Sequence, residues 1–183
     1  MTTINIIGRE SDKALEELIL TQLTQTYRVT YVKNKSLVQA GQGYELLIAD
    51  FTELKSLFVP QCLLIMKNGG SVPNISFPES TIVVASSDNR EQLLALKDLK
   101  CTVITCGGSE KDTLSCSSYG SNALMVSLNR EIVAFSGRSI LPLEMPLKLC
   151  KSPKDIYYPL AFTALRLILD DFNSDLGKLI GRD

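Results

Sequence analysis

Histidine and tryptophan are both absent from this chain. The lack of histidine removes the commonest general base, the commonest metal ligand and every Ser-His or Cys-His nucleophile pair. Catalysis would have to rest on carboxylates, lysines or a metal held by oxygen ligands. An excess of charge is missing too: 19 Lys and Arg against 20 Asp and Glu leave a formal charge of -1. The basic residues are spread along the chain, so nucleic acid is not an expected partner. No apolar run approaches the roughly 18 to 20 residues that cross a bilayer. The N-terminus lacks a basic segment followed by a long apolar one. Neither a membrane nor a secretion signal is expected, and a cytoplasmic location follows as the default. The five cysteines stand at 62, 101, 106, 116 and 150, an odd number with no C-x-x-C pair. They read as buried free thiols rather than a metal site. No metal and no cofactor is expected.

What is present suits a soluble α/β protein. The 183 residues are 45% apolar and 21% charged, enough for one domain with a real core. Residues 4–7 form a short β-branched run, and residues 12–26 carry Leu15, Leu18, Ile19 and Leu23 at helical spacing. Ser11 is the expected N-cap of that helix, with Asp12 in its first turn. Residues 28–32, 45–49, 62–66, 81–85 and 101–106 read as further strands. Residues 88–99 read as a helix, which Asp88 would cap. Short apolar strands separated by helices predict a mostly parallel sheet flanked by helices on both faces. After Gly107-Gly108 the pattern changes to strands at 113–119, 123–128, 131–135 and 139–149, with turn residues between them. This predicts a small antiparallel meander before a last helix over 153–172, with Ser152 as cap and Pro153 in the first position. The expected organisation is an α/β core of 1–107 plus 150–172, an antiparallel subdomain of 108–149 and a tail of 173–183.

The order of these segments resembles the central, ATP-binding domain of the Mur ligase family, whose members add amino acids to peptidoglycan precursors. The clearest match is TIVVASSDNREQLLALKDLKCTVITCG, residues 81–107, which looks like a strand, an Asp-Asp-type turn before a helix, and a strand ending at glycine. The antiparallel excursion follows, and KDIYYPLAFTALRLIL, residues 154–169, is similar to the family's returning helix. The opening IIGRESDKALEELILTQLTQTYRVTYV resembles the family's phosphate-loop strand, helix and second strand. The resemblance covers nearly the whole chain as element order and apolar pattern. It implies a P-loop-type α/β fold.

The departures bear on activity. The family's loop is Gly-Thr-Asn-Gly-Lys-Thr; here the stretch is Gly8-Arg9-Glu10-Ser11-Asp12-Lys13-Ala14. Such a loop converges backbone N–H groups on phosphates through its glycines, with a lysine at the outer oxygens and a hydroxyl on Mg²⁺. The second glycine is gone, Lys13 sits one residue late and Ala14 replaces the hydroxyl. Glu10 and Asp12 place two carboxylates where phosphate charge would sit. Each such contact costs on the order of kilocalories at an effective dielectric near 20. A helix N-terminus returns only about 0.3–1 kcal/mol. The Asp-His-x-Asp segment that the family has after its next strand is replaced by NGGSVPNISFPES. Counterparts of the family's nucleotide-sugar domain and C-terminal domain are absent from these residues.

Two readings stay open at this stage. One is a non-catalytic domain that keeps the ligase scaffold for association with a protein partner or a second copy, with no nucleotide bound. The other is a small-molecule or nucleotide-binding protein, or an enzyme, with a rebuilt site at the C-terminal edge of the sheet. Candidate ligand-binding residues are Gly8, Arg9 and Lys13 at the first helix, Asp50 after the third strand, Asn68 after the fourth and Asp88 after the fifth. No residue is a catalytic candidate.

Overall fold

A computed structural model of the chain describes residues 2–69, 75–120, 123–148 and 154–171. The chain divides into two compact units, Met1–Val103 and Ile104–Asp183.

The first unit holds β1 (Thr2–Ile7), α1 (Ala14–Gln22), β2 (Tyr27–Lys33), β3 (Ser36–Ala40), β4 (Tyr44–Phe51), β5 (Cys62–Met66), β6 (Ile82–Ser86) and α2 (Arg90–Leu96). Its strand order is β6-β5-β1-β4-β2-β3. β1 lies between β4 and β5, parallel to both. β2 and β6 extend the parallel set outward, and β3 turns back antiparallel to β2. Apolar residues alternate onto both faces, as a sheet covered on two sides requires. Ile4, Ile6, Val29 and Ile48 are fully buried on one face, together with Leu15 and Ile19 of α1. On the other face Ile7, Cys62, Leu64, Met66, Val83 and Ala85 form a cluster closed by Leu96 of α2 and Leu57. Burial of each such side chain stabilises the fold by roughly 1.5–3 kcal/mol.

Several local expectations are corrected. α1 begins at Ala14 with Lys13 as N-cap and no side-chain cap, so Ser11 does not cap it. The Asp12 carboxylate instead accepts from the Ala14 N–H, which holds the turn one step outside the helix. α2 is capped by Asn89, whose side chain accepts from the Gln92 N–H, rather than by Asp88. β3 was not expected. It follows β2 through the two residues Asn34-Lys35, with Asn34 at φ 47°, which suits the tight turn of a hairpin.

The second unit begins within β7 (Thr102–Gly107) and holds β8 (Leu114–Tyr119), β9 (Ala123–Leu128), β10 (Ile132–Val133), β11 (Ser139–Ile140), β12 (Leu143–Lys148) and α3 (Tyr157–Ile168). β8 runs parallel to β7, then β9 and β12 continue antiparallel, in the order β12-β9-β8-β7. The architecture is therefore a mostly parallel mixed sheet with flanking helices and an antiparallel portion late in the chain. The strand expected over 139–149 is two short ones, interrupted around Pro142, which has no N–H to donate to a ladder. β10 and β11 form their own small antiparallel pair.

α3 is buried along all twelve residues, not along one stripe. Its sequence, YYPLAFTALRLI, is apolar all round, the mark of a helix enclosed on every side. Thr163 donates to the Pro159 carbonyl, and Arg166 stands 2.6 Å from the Asp171 carboxylate and donates to the Asp171 carbonyl at 3.2 Å. The helix opens at Tyr157, four residues later than expected; Ser152, Pro153, Cys150 and the expected tail lie outside the described residues. No helix among the described residues is long and apolar enough to cross a membrane.

Candidate functional site

The parallel strands of the first unit place their C-terminal ends together, where open α/β sheets hold ligands. β1 ends at Ile7, β4 at Phe51, β5 at Met66 and β6 at Ser86. The pleat decides which side chains meet there. Tyr31 and Lys33 on β2 lie in register with Ile48 and Asp50 on β4. Asp50 aligns with Ile6, which aligns with Ile65, so Lys67, one residue past the end of β5, continues on the same face.

These residues form a closed ionic cluster. The Lys67 ammonium donates to both Asp50 oxygens, at 2.9 and 2.8 Å, and to the Arg9 carbonyl at 3.3 Å. The Lys67 side chain is 0% exposed and that of Asp50 2%. The Tyr31 hydroxyl donates to Asp50 Oδ2 at 2.7 Å. Lys33 stands 3.8 Å from the same oxygen and bonds Glu16 of α1 at 2.6 Å. Burial pushes the Tyr31 phenol far up, helped by its bond to the Asp50 carboxylate. Burial pulls the Lys33 ammonium down, but the Glu16 bond and the Asp50 charge outweigh it and leave the group raised. At neutral pH the Tyr31 phenol therefore keeps its proton and Lys33 is an ammonium.

The turn after β1 is organised around that lysine. Gly8 has φ 147°, and a Cβ placed there would lie 2.5 Å from Lys67 Cβ. Only glycine allows the lysine stem to cross the turn so closely. Three amides of the turn are engaged by the protein: Gly8 N–H donates to the Phe51 carbonyl, Asp12 N–H to the Arg9 carbonyl and Ala14 N–H to the Asp12 side chain. The Arg9 carbonyl faces inward to Lys67, so at that position the turn offers an acceptor, not a donor.

The candidates from sequence fall into two groups. Gly8, the Arg9 backbone and Asp50 meet around Lys67. Asn68 joins the same edge through its carbonyl, which accepts from Asn89 at 2.6 Å, next to the Lys67 carbonyl that accepts from Gln92 at 2.7 Å. Lys13 and Asp88 are exposed at the starts of α1 and α2, and the Asp88 N–H donates to Ser86 Oγ at 3.3 Å. Lys67, Tyr31, Lys33, Glu16 and Gln92 were missed. Lys67 could have been found as the first polar residue after CLLIM, at the same sheet edge as Asp50. Tyr31 and Lys33 alternate with Val29, which gives them its face.

The remaining chemistry is sparse. Burial pushes the thiols of Cys62 and Cys106 up, so neither is a thiolate at neutral pH. Among the described residues no group of three or more Cys, Asp or Glu could hold a metal ion.

The parallel order around β1, its glycine turn into α1 and the late antiparallel strands define a Mur ligase-like α/β fold. Two solved structures carry it. A murein peptide ligase from Psychrobacter arcticus superposes with a TM-score of 0.62 at 9% identity, over 98% of this chain and 47% of that one. The UDP-N-acetylmuramate:L-alanyl-gamma-D-glutamyl-meso-diaminopimelate ligase from Neisseria meningitides superposes with a TM-score of 0.57 at 11% identity, over 99% of this chain and 67% of that one. The chain therefore spans about half the length of the first of them. At these identities the likeness is one of fold. No protein-family model matches the chain, and no curated protein does.

Proposed function

We propose that this chain is a non-catalytic, Mur ligase-like module that acts through association with a protein partner or a second copy of itself. One observation carries the reading: the place where a phosphate loop would receive its ligand is taken by the Lys67 side chain, neutralised by Asp50. A triphosphate entering there would have to displace a buried ion pair and approach Glu10 and Asp12. It would also lose the amides already committed to Phe51, Arg9 and Asp12. Each of these opposes binding, and the acidic side chains add kilocalorie-scale repulsion.

Apolar surface supports the association half. Leu37, Tyr44, Phe58 and Leu141 are each more than 60% exposed. Where such side chains adjoin on a surface they mark sites of contact with another protein.

A second reading, a small-molecule site at the sheet edge, is favoured by Gln92, which is 1% exposed and whose Oε1 has no hydrogen-bond partner. Thermal shift with Mg-ATP, Mg-GTP and UDP-sugar precursors, run beside light scattering, separates the two. The association reading expects no nucleotide-dependent change in Tm. A ligand at 100 times its Kd would add about 2.7 kcal/mol, a rise of several degrees, and that result would move the assignment to the second reading.

A further inference from the structure

β3 is the outer strand of its sheet, hydrogen-bonded to β2 on one side only, and all five of its residues are exposed. Edge strands are ordinarily kept from pairing by a charge, a proline, a bulge or a covering segment. Ser36–Ala40 has none of these. It reads SLVQA, and its register with β2 runs unbroken from Lys33↔Ser36 to Val29↔Ala40. Leu37 and Val38 are 67% and 47% exposed, on opposite faces of the strand.

The hairpin also fixes which backbone groups face outward. A two-residue connection closes on a hydrogen-bonded pair, here Lys33↔Ser36, and hydrogen-bonded pairs then alternate along the ladder. Val38 and Ala40 spend their N–H and C=O groups on β2. Those of Leu37 and Gln39 point away from it.

We propose that this edge pairs with the same edge of a second copy of the chain, antiparallel about a two-fold axis at Val38. The proposal rests on the association reading and names its surface. In that register Leu37 and Gln39 of one copy exchange N–H···O=C bonds with Gln39 and Leu37 of the other. Every outward donor meets an acceptor, so the partial charges of the edge are complementary to themselves. The two Val38 side chains meet on one face, and each Leu37 covers a Gln39 stem on the other. Lys35 falls opposite Gly41, so no like charges oppose each other. A strand of five residues is about 16 Å long. A contact of that length alone falls short of the roughly 1,200 Å² of a standard interface. The dimer is therefore weak and dependent on concentration.

Sedimentation velocity over a concentration series tests this with the wild-type chain, Gln39→Pro and Val38→Lys. Gln39→Pro removes an outward donor and leaves the ladder to β2 intact, while Val38→Lys sets two ammoniums against each other at the axis. Wild type should dimerise and both variants should weaken the dimer at least about tenfold, with little change in Tm. Amide exchange in the wild type should slow at Leu37 and Gln39 as concentration rises, with no matching change at Val38. That second measurement decides the matter even where Gln39→Pro perturbs folding. Dimerisation that both variants leave unchanged would overturn the edge pairing and leave the association reading standing. A wild type that stays monomeric throughout would also overturn it, and the association reading would then be judged by the nucleotide titration.

Discussion

Replacing Lys67 with methionine, Asp50 with leucine, and both together probes the ion pair on which the site is built. Lys67 is fully enclosed and its ammonium touches both oxygens of a carboxylate that is itself 2% exposed. Removing one partner of such a pair leaves a buried charge without compensation, at a cost of about 3–5 kcal/mol. The two single variants should differ. Lys67→Met leaves the Asp50 carboxylate with the Tyr31 hydroxyl at 2.7 Å and Lys33 at 3.8 Å, which places it near the lower end. Asp50→Leu strands the Lys67 ammonium with the Arg9 carbonyl at 3.3 Å and takes an acceptor from Tyr31, which places it near the upper end. For a chain of this size each kcal/mol moves Tm by about 2–4 °C, so losses of roughly 6–12 °C and 10–20 °C are expected. The double variant removes both charges and should cost less than the sum by at least about 2 kcal/mol. Urea unfolding of the four proteins gives the coupling directly. Single-variant losses below about 1 kcal/mol, or additivity in the double variant, would refute a buried, mutually compensating pair.

Other expectations follow from the same geometry. Tyr31 binds its proton more tightly folded than unfolded, so its contribution to stability is complete below pH 10, its ordinary pKa, and is lost as pH rises beyond that. Absorbance at 295 nm should show a tyrosine component that titrates only with alkaline unfolding, and Tyr31→Phe should shrink it by one residue's worth, with buried Tyr157 and Tyr158 remaining. Gly8→Ala should cost about 2–4 kcal/mol in chemical denaturation, because the turn needs a positive φ and its Cβ would lie on Lys67. Asp171→Ala should cost about 3 kcal/mol by stranding the buried Arg166 at the end of α3, and Arg166→Leu with Asp171→Ala should recover part of it.

Much of the fold was legible because its strands are continuous apolar runs. The segments CLLIM and ALMVSL were bounded to the residue, since turn residues close each at both ends. β3 was not legible. Its exposed SLVQA has no alternation of apolar and polar residues, and its Asn-Lys turn lacks the glycine that usually marks a hairpin. Helix starts moved by one or two residues where two capping side chains stand together, as with Asp88 and Asn89, or where Asp12 bonds its own turn. Asp50 could be placed at the sheet edge from the end of its strand. Its partner could be placed at the same edge, as the first polar residue after CLLIM, but only the register of β1 against β4 and β5 puts Lys67 on the Asp50 face. The departure from a glycine-rich loop was visible in sequence; that the Lys67 stem crosses the turn beside Gly8 was visible only in the fold.

The most direct test of the central claim is a backbone amide titration of the wild-type chain with Mg-ATP, followed by NMR at residues 8–14. With Lys67 seated beside Gly8 and the Gly8, Asp12 and Ala14 amides already hydrogen-bonded, those resonances should not shift saturably at any ATP concentration up to the millimolar range. Saturable shifts at Gly8 to Ala14 at sub-millimolar ATP, lost when Lys13 is replaced, would contradict the account.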